Sequence, residues 1–270
     1  MSLMKSLARV AAGVMLAKGV GTMMQNRQQS STTPQQGGGL LNDLLRNNTG
    51  GAGGSVTDML GRALGGGAGT GRRYGGANSA GAQGGLGGLL DQLGGRGGAG
   101  LGDVLGGLLG GAAGGLAQKD SQARNDATFG ELFNDAVSHT GEPEVAPTAE
   151  QNALAGLMLR AMIQAAKADG KIDERERAHL MGQLGDDLDD DERQFIREQM
   201  AAPVDAQALA NDVPKGLESQ VYLMSLLAIS FDNEAEARYL NDLATAMGLS
   251  RSAVNAIHDE AGVAPLYNRS

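Results

Sequence analysis

Ala165–Leu180 reads AAKADGKIDERERAHL, a helix that stops at Asp169–Gly170, turns, and restarts behind Asp173. Asp169, Asp173 and Glu176 fall in one tight turn between two helices. Carboxylate oxygens grouped in this way suit a hard divalent cation, which takes oxygen ligands. A second acidic turn carries Asp232 and Glu236, which would add two ligands if the two helical hairpins packed face to face. The same residue types have a plainer use. Asp-Gly ends helices, and an Asp with a Glu three residues later begins them. Cation binding and helix capping are thus the two readings of Asp169, Asp173, Glu176, Asp232 and Glu236. A divalent cation is the one cofactor that these residues could hold.

The densest acidic run, Asp186–Glu192, places Asp187, Asp189, Asp191 and Glu198 at positions 1, 3, 5 and 12 of a calcium loop. Glu192, however, stands where that loop needs glycine. The run reads better as an acidic helix start, favoured by the helix dipole. There is no cysteine, which removes disulfides, thiolate metal sites and cysteine nucleophiles. His139, His179 and His258 have no ligand spacing, and the latter two read as surface or packing residues on helices. HExxH, GxSxG and the phosphate-binding GxxxxGK[ST] are all missing. No catalytic residue is assigned, and the chain reads as non-enzymatic.

The acidic turns belong to a C-terminal helical domain. From Thr148 the pattern is helical throughout, with no alternation of the kind a strand shows. Leu154, Leu157, Met158, Ala161, Met162 and Ala165 form a stripe on one face of Ala149–Ala168. Helices are expected over Asp173–Gly182, Asp189–Met200, Asp205–Asn211, Glu218–Ser230, Asn233–Met247 and Arg251–Ala261. Glu218–Ser230 is apolar nearly all round and should be the central buried helix. Gly248 suits a helix end, and Ser250 a helix start. The expected fold class is all-α, a compact bundle of about seven helices over residues 148–263, with 264–270 as a tail.

Ahead of that domain the composition changes. Of 44 glycines, 32 lie from Gly37 to Gly115, too many for an ordinary core because each loses much backbone entropy on ordering. Residues 27–147 therefore read as a Gly/Leu-rich, low-complexity and disordered linker, with a short helix at Thr128–Ser138. Leu40–Leu45, Val56–Gly66, Leu86–Gly95 and Leu101–Gly111 form a loose repeat with paired leucines at helical spacing. The reading favoured is a flexible tether with weakly sticky leucine clusters; a membrane-embedded glycine zipper and self-association in solution are the alternatives. Residues 1–26 read as an apolar helix flanked by Lys5, Arg9 and Lys18. Its apolar run is shorter than the roughly 20 residues of a spanning helix; membrane association is the expectation, with a cleaved signal peptide and an ordinary soluble helix as the alternatives. From Glu144 to Ser270 there are 22 acidic and 11 basic residues, 11 − 22 = −11. Such a balance excludes nucleic acid, whose phosphates need clustered Lys and Arg.

The turn AxADGxID…E at Ala166–Glu176, the turn SFDNEAE at Ser230–Glu236 and the closing LATAMGLS resemble the TerB-like superfamily. The layout of apolar N-terminus, Gly/Leu-rich middle and one such domain resembles the YebE-type family of inner-membrane proteins of unknown function. The resemblance implies a helical bundle, a link to bacterial envelope or tellurite stress, an acidic site for a metal, and no catalytic activity. The second turn lacks the Asp-Gly pair of the first. The functional expectation is a membrane-associated module at the bacterial inner membrane, acting through an unidentified protein partner, with its C-terminal domain in the cytoplasm. The alternative is a divalent-cation sensor using Asp169–Glu176.

Overall fold

The computed structural model describes residues 2–13, 85–93, 112–139, 141–170, 189–229 and 233–268. These residues form α1 (3–13), α2 (Gly85–Leu93), α3 (Ala112–Gln118), α4 (Phe129–Ser138), α5 (Ala149–Ala166), α6 (Asp190–Ala201), α7 (Ala206–Asp212), α8 (Glu218–Ala228), α9 (Glu234–Ala246) and α10 (Arg251–Glu260). No strand occurs among them; one isolated bridge joins Gln122 to Thr148. The fold is all-α, as the sequence predicts. Six of the seven helices expected beyond Thr148 are seen; the seventh, Asp173–Gly182, lies outside the described residues.

Side-chain caps set the helix starts. Thr128, Thr148 and Asp189 each accept from the amide three residues on, and Glu131, Gln151 and Glu192 reach back to them. These capping boxes satisfy amides that an isolated helix leaves without partners. Asp205, Asn233 and Ser250 cap α7, α9 and α10 alone. At the end of α9 the chain turns through Gly248 at φ +70, and the Leu249 amide donates back to Ala244. That geometry needs a left-handed residue, which glycine supplies without steric cost.

Two helices run through the core. In α8 every residue from Gln220 to Leu227 is buried, as expected of Glu218–Ser230. The other is α5, and it differs from its predicted one-sided stripe: Ala153, Ala155, Gly156, Leu159 and Ile163 are buried as well. The reason lies far away in sequence. Leu3, Met4, Leu7, Val10 and Ala11 of α1 are buried in the same core, and Leu3 lies against Gly156, where an added Cβ would stand 3.0 Å from its Cδ1. Asn152, fully buried, accepts from the Met4 amide at 3.4 Å and donates to the Ala117 carbonyl of α3 at 3.3 Å. One side chain thereby fixes two covering helices to α5.

Of the residues expected as a C-terminal tail, 264–268 are described, and they fold back against α10. Tyr267 exchanges two hydrogen bonds with Asn255, at 2.9 and 3.1 Å, and its ring lies beneath the Arg251 guanidinium at 5.2 Å. No described helix is long and apolar enough to cross a membrane.

Candidate functional site

Of the acids singled out in the sequence, Asp169 and Glu236 lie among the described residues; Asp173, Glu176 and Asp232 lie outside them. Asp169 is exposed in the turn after α5, just before Gly170 at φ +83. Glu236 sits in the first turn of α9, where its amide donates to the Asn233 cap at 2.9 Å. Among the described residues no three His, Asp or Glu side chains are grouped for a metal ion. Beside the turn, Lys167 Nζ donates to the carbonyls of Gln199 and Ala202, closing the end of α6 with a cation that complements the helix dipole. Partial burial there pulls the Lys167 pKa below its ordinary value.

The acidic run resolves at Asp189 into a cap. Its carboxylate accepts from the Glu192 amide at 3.0 Å, and Lys119 Nζ lies 2.8 Å from it and 3.2 Å from Asp191. Burial raises the Asp189 carboxyl, but Lys119 and the Glu192 amide outweigh it and hold the pKa at about 2 against 3.8. A depressed acid stabilises the native state above its unfolded pKa, and the effect is lost as pH falls through the folded value. Lys119→Ala is therefore expected to move acid unfolding to higher pH, read as the midpoint of a circular-dichroism acid titration. An unshifted midpoint would show that the ion pair contributes nothing.

The most elaborate polar arrangement lies elsewhere, between α2 and α4. Leu86, Leu89 and Leu90 of α2 are buried, an i, i+3, i+4 set on one helix face. The two backbones cross at Gly87 and Gly130, so closely that a Cβ on either would stand 2.0 Å from the other's carbonyl oxygen. Each helix then caps the other. Gly87 donates its amide to Asn134 Oδ1 at 2.9 Å; Asp91 accepts from the Gly130 amide at 2.9 Å and from the Thr128 hydroxyl. On the far side, Gln220 of α8 donates to the Leu90 carbonyl. Burial raises the Asp91 pKa, while the bonds from Thr128 and Gly130 oppose that rise.

None of these residues stood out in the sequence as a site, although the leucine repeat and its aspartate were visible there. Two signals could have found the seat: Gly130, among the described residues the one glycine in the first turn of a side-chain-capped helix, and Asp91 one residue past a leucine face. The geometry can hold a helix.

Residues 35–261 match a family described as "Protein of unknown function (DUF533)". The chain belongs to that family. The match takes in α2 through α10 and stops short of α1. The family description assigns no activity. No curated protein and no solved structure matches the chain.

Proposed function

We propose that this chain is a non-enzymatic, membrane-associated bacterial interaction module that recognises amphipathic helices in grooves of its helical body. The seating of α2 between α4 and α8 carries this reading. A nine-residue helix is too short to be stable alone in water, so it is held by the groove's leucine contacts and its reciprocal caps. In the sequence it stands between residues 14–84 and 94–111. A helix held in this way has the character of a bound ligand, in the helix-in-groove mode of recognition. The resemblance to TerB-like and YebE-type proteins favours the inner membrane of bacteria, a cytoplasmic body, and a role in envelope or tellurite stress. Membrane association through α1 requires its leucines to leave the core, so seating in the body and insertion in lipid compete.

The test uses the full chain carrying Gly87→Val, whose own α2 cannot make the backbone crossing. A fluorescent peptide of residues 84–95 is expected to bind it saturably, read by anisotropy. A chain that keeps its helical circular dichroism yet shows no saturable binding would remove the reading.

The cation-sensor alternative retains one favourable observation: Asp169 is exposed, and no described residue crowds Gly170. A cation at 100 times its dissociation constant would add about 2.7 kcal/mol of stability. Thermal melts of the full chain with Ca²⁺, Mg²⁺, Mn²⁺ or Zn²⁺ would then show a raised midpoint that Asp169→Asn abolishes. An unchanged midpoint with all four removes this alternative.

A further inference from the structure

The seat of α2 meets a choice within its own chain. Leu86–Asp91 reads LGGLLD, and Leu105–Gly110 reads LGGLLG. The two stretches share their first five residues. Whatever the leucines, the glycine crossing and the Gly87 amide do at the seat, the second stretch offers too. It differs only at the place of Asp91, which reaches across the start of α4.

We propose that the groove between α4 and α8 is a recognition site for an amphipathic helix of pattern Leu-Gly-x-Leu-Leu-Asp, and that Asp91 is its specificity-determining residue. The occupant is this chain's own α2. The inference rests on the helix-binding reading above and adds the rule by which one segment is chosen.

Two filters make up that rule. The first is steric. Leu41–Arg46 (LNDLLR) and Val56–Gly61 (VTDMLG) bring Asn42 and Thr57 to the place of Gly87, where a Cβ meets the Gly130 carbonyl oxygen at 2.0 Å. Neither can make the crossing. The second filter is polar. Leu101–Gly106 (LGDVLG) and Leu105–Gly110 keep the glycine but put glycine in place of Asp91. Without that carboxylate, the amide of buried Gly130 and the hydroxyl of half-buried Thr128 lose their partner. An orphaned buried donor is costly, and charge-assisted bonds are the strong ones. No other six-residue stretch of the chain has the full pattern.

The experiment uses the full Gly87→Val chain and four fluorescent peptides: residues 84–95, the same with Asp91→Ala, residues 103–114, and the last with Gly110→Asp. Alanine is the better helix former, so any loss in the second peptide belongs to the missing bonds. The native 84–95 peptide is expected to bind about tenfold tighter or more than the second and third, the weight of one charge-assisted bond. Gly110→Asp should recover most of that difference. Equal binding of the native and Asp91→Ala peptides, to within about twofold, overturns the specificity while leaving helix binding intact. Failure of all four to bind overturns both. Hydrogen exchange on the full chain with Asp91→Ala alone is an independent arm that needs no groove variant. Protection of the Leu89 and Leu90 amides should fall about tenfold; unchanged protection overturns the proposal.

Discussion

Replacing His258 with alanine is expected to destabilise the protein by about 3–5 kcal/mol, the sum of a cavity and an orphaned hydroxyl. His258 is fully buried on α10. Its Nδ1 lies 2.6 Å from the Ala264 carbonyl oxygen, which can only accept. That nitrogen must therefore carry the proton, leaving Nε2 to accept from the Tyr222 hydroxyl at 2.9 Å. One imidazole thus joins α8, α10 and the returning C-terminal residues. Alanine empties the space and leaves the Tyr222 hydroxyl, itself buried in α8, without its acceptor. Tyr222→Phe should cost less, about 1–3 kcal/mol, because packing survives and only the His258 acceptor is stranded. Urea unfolding of the three proteins checks the order. Equal losses for the two variants would mean that the hydrogen bond, not the packing, dominates.

The same histidine predicts a pH dependence. Burial lowers its pKa from 6.5, opposed by the Ala264 carbonyl and by Asp259. The native state then binds fewer protons than the unfolded chain between the lowered pKa and 6.5. Stability rises with pH wherever the unfolded state holds more protons. Acidification from pH 7.5 should therefore weaken the wild type as it passes through the ordinary histidine range. The weakening should stop once pH falls below the folded value, where both states are protonated. Subtracting the profile of His258→Gln from that of the wild type should isolate this arm. A difference profile that stays flat between pH 7.5 and 5 would sink the assignment of the neutral, Nδ1-protonated ring.

How far all this was legible depends on the range over which the information acts. The caps were local, and local reading found them: Asp189 with Glu192, Asn233, Gly248 and Ser250 mark helix ends that the structure reproduces within a residue or two. The all-round burial of α5 was not legible, because Gly156 and Asn152 become core positions only when Leu3 and Met4 arrive from the other end of the chain. Glycine misled in a more instructive way. Its propensity cost argued against structure from Gly37 to Gly115, yet at Gly87 the absent side chain is what lets that backbone meet Gly130, in the helix that the sequence did predict. Propensity counts what glycine loses when ordered, and says nothing of a contact that no other residue permits. The acidic turn illustrates the limit from the other side. Its pattern was the sharpest in the sequence, but a pattern of carboxylates cannot separate a cap from a ligand set.

The Gly87–Gly130 crossing gives the second large expected effect, and its signature is non-additivity. Gly87→Val alone inserts atoms where 2.0 Å separates a Cβ from the Gly130 carbonyl oxygen, and Gly130→Val does the reverse while also meeting Asp91 Cγ at 2.6 Å. Overpacking of this kind costs about 1–3 kcal/mol or more when the neighbours cannot yield, and backbone atoms yield least. The loss has a ceiling, however. Once strain exceeds the free energy that seats α2, the helix leaves, and further strain is no longer felt. Leu86, Leu89 and Leu90 then lose their burial, while α5 and α8 keep the rest of the core. Hydrogen exchange should show protection lost over residues 86–93 and retained in Gln220–Leu227 for both single variants. Gly130→Val carries an additional penalty, because a β-branched residue enters the first turn of α4. The double variant should therefore be about as unstable as Gly130→Val alone, with a coupling energy near the full cost of Gly87→Val. Independent sites would give the sum instead, and additive losses would show that the two glycines do not meet across one interface.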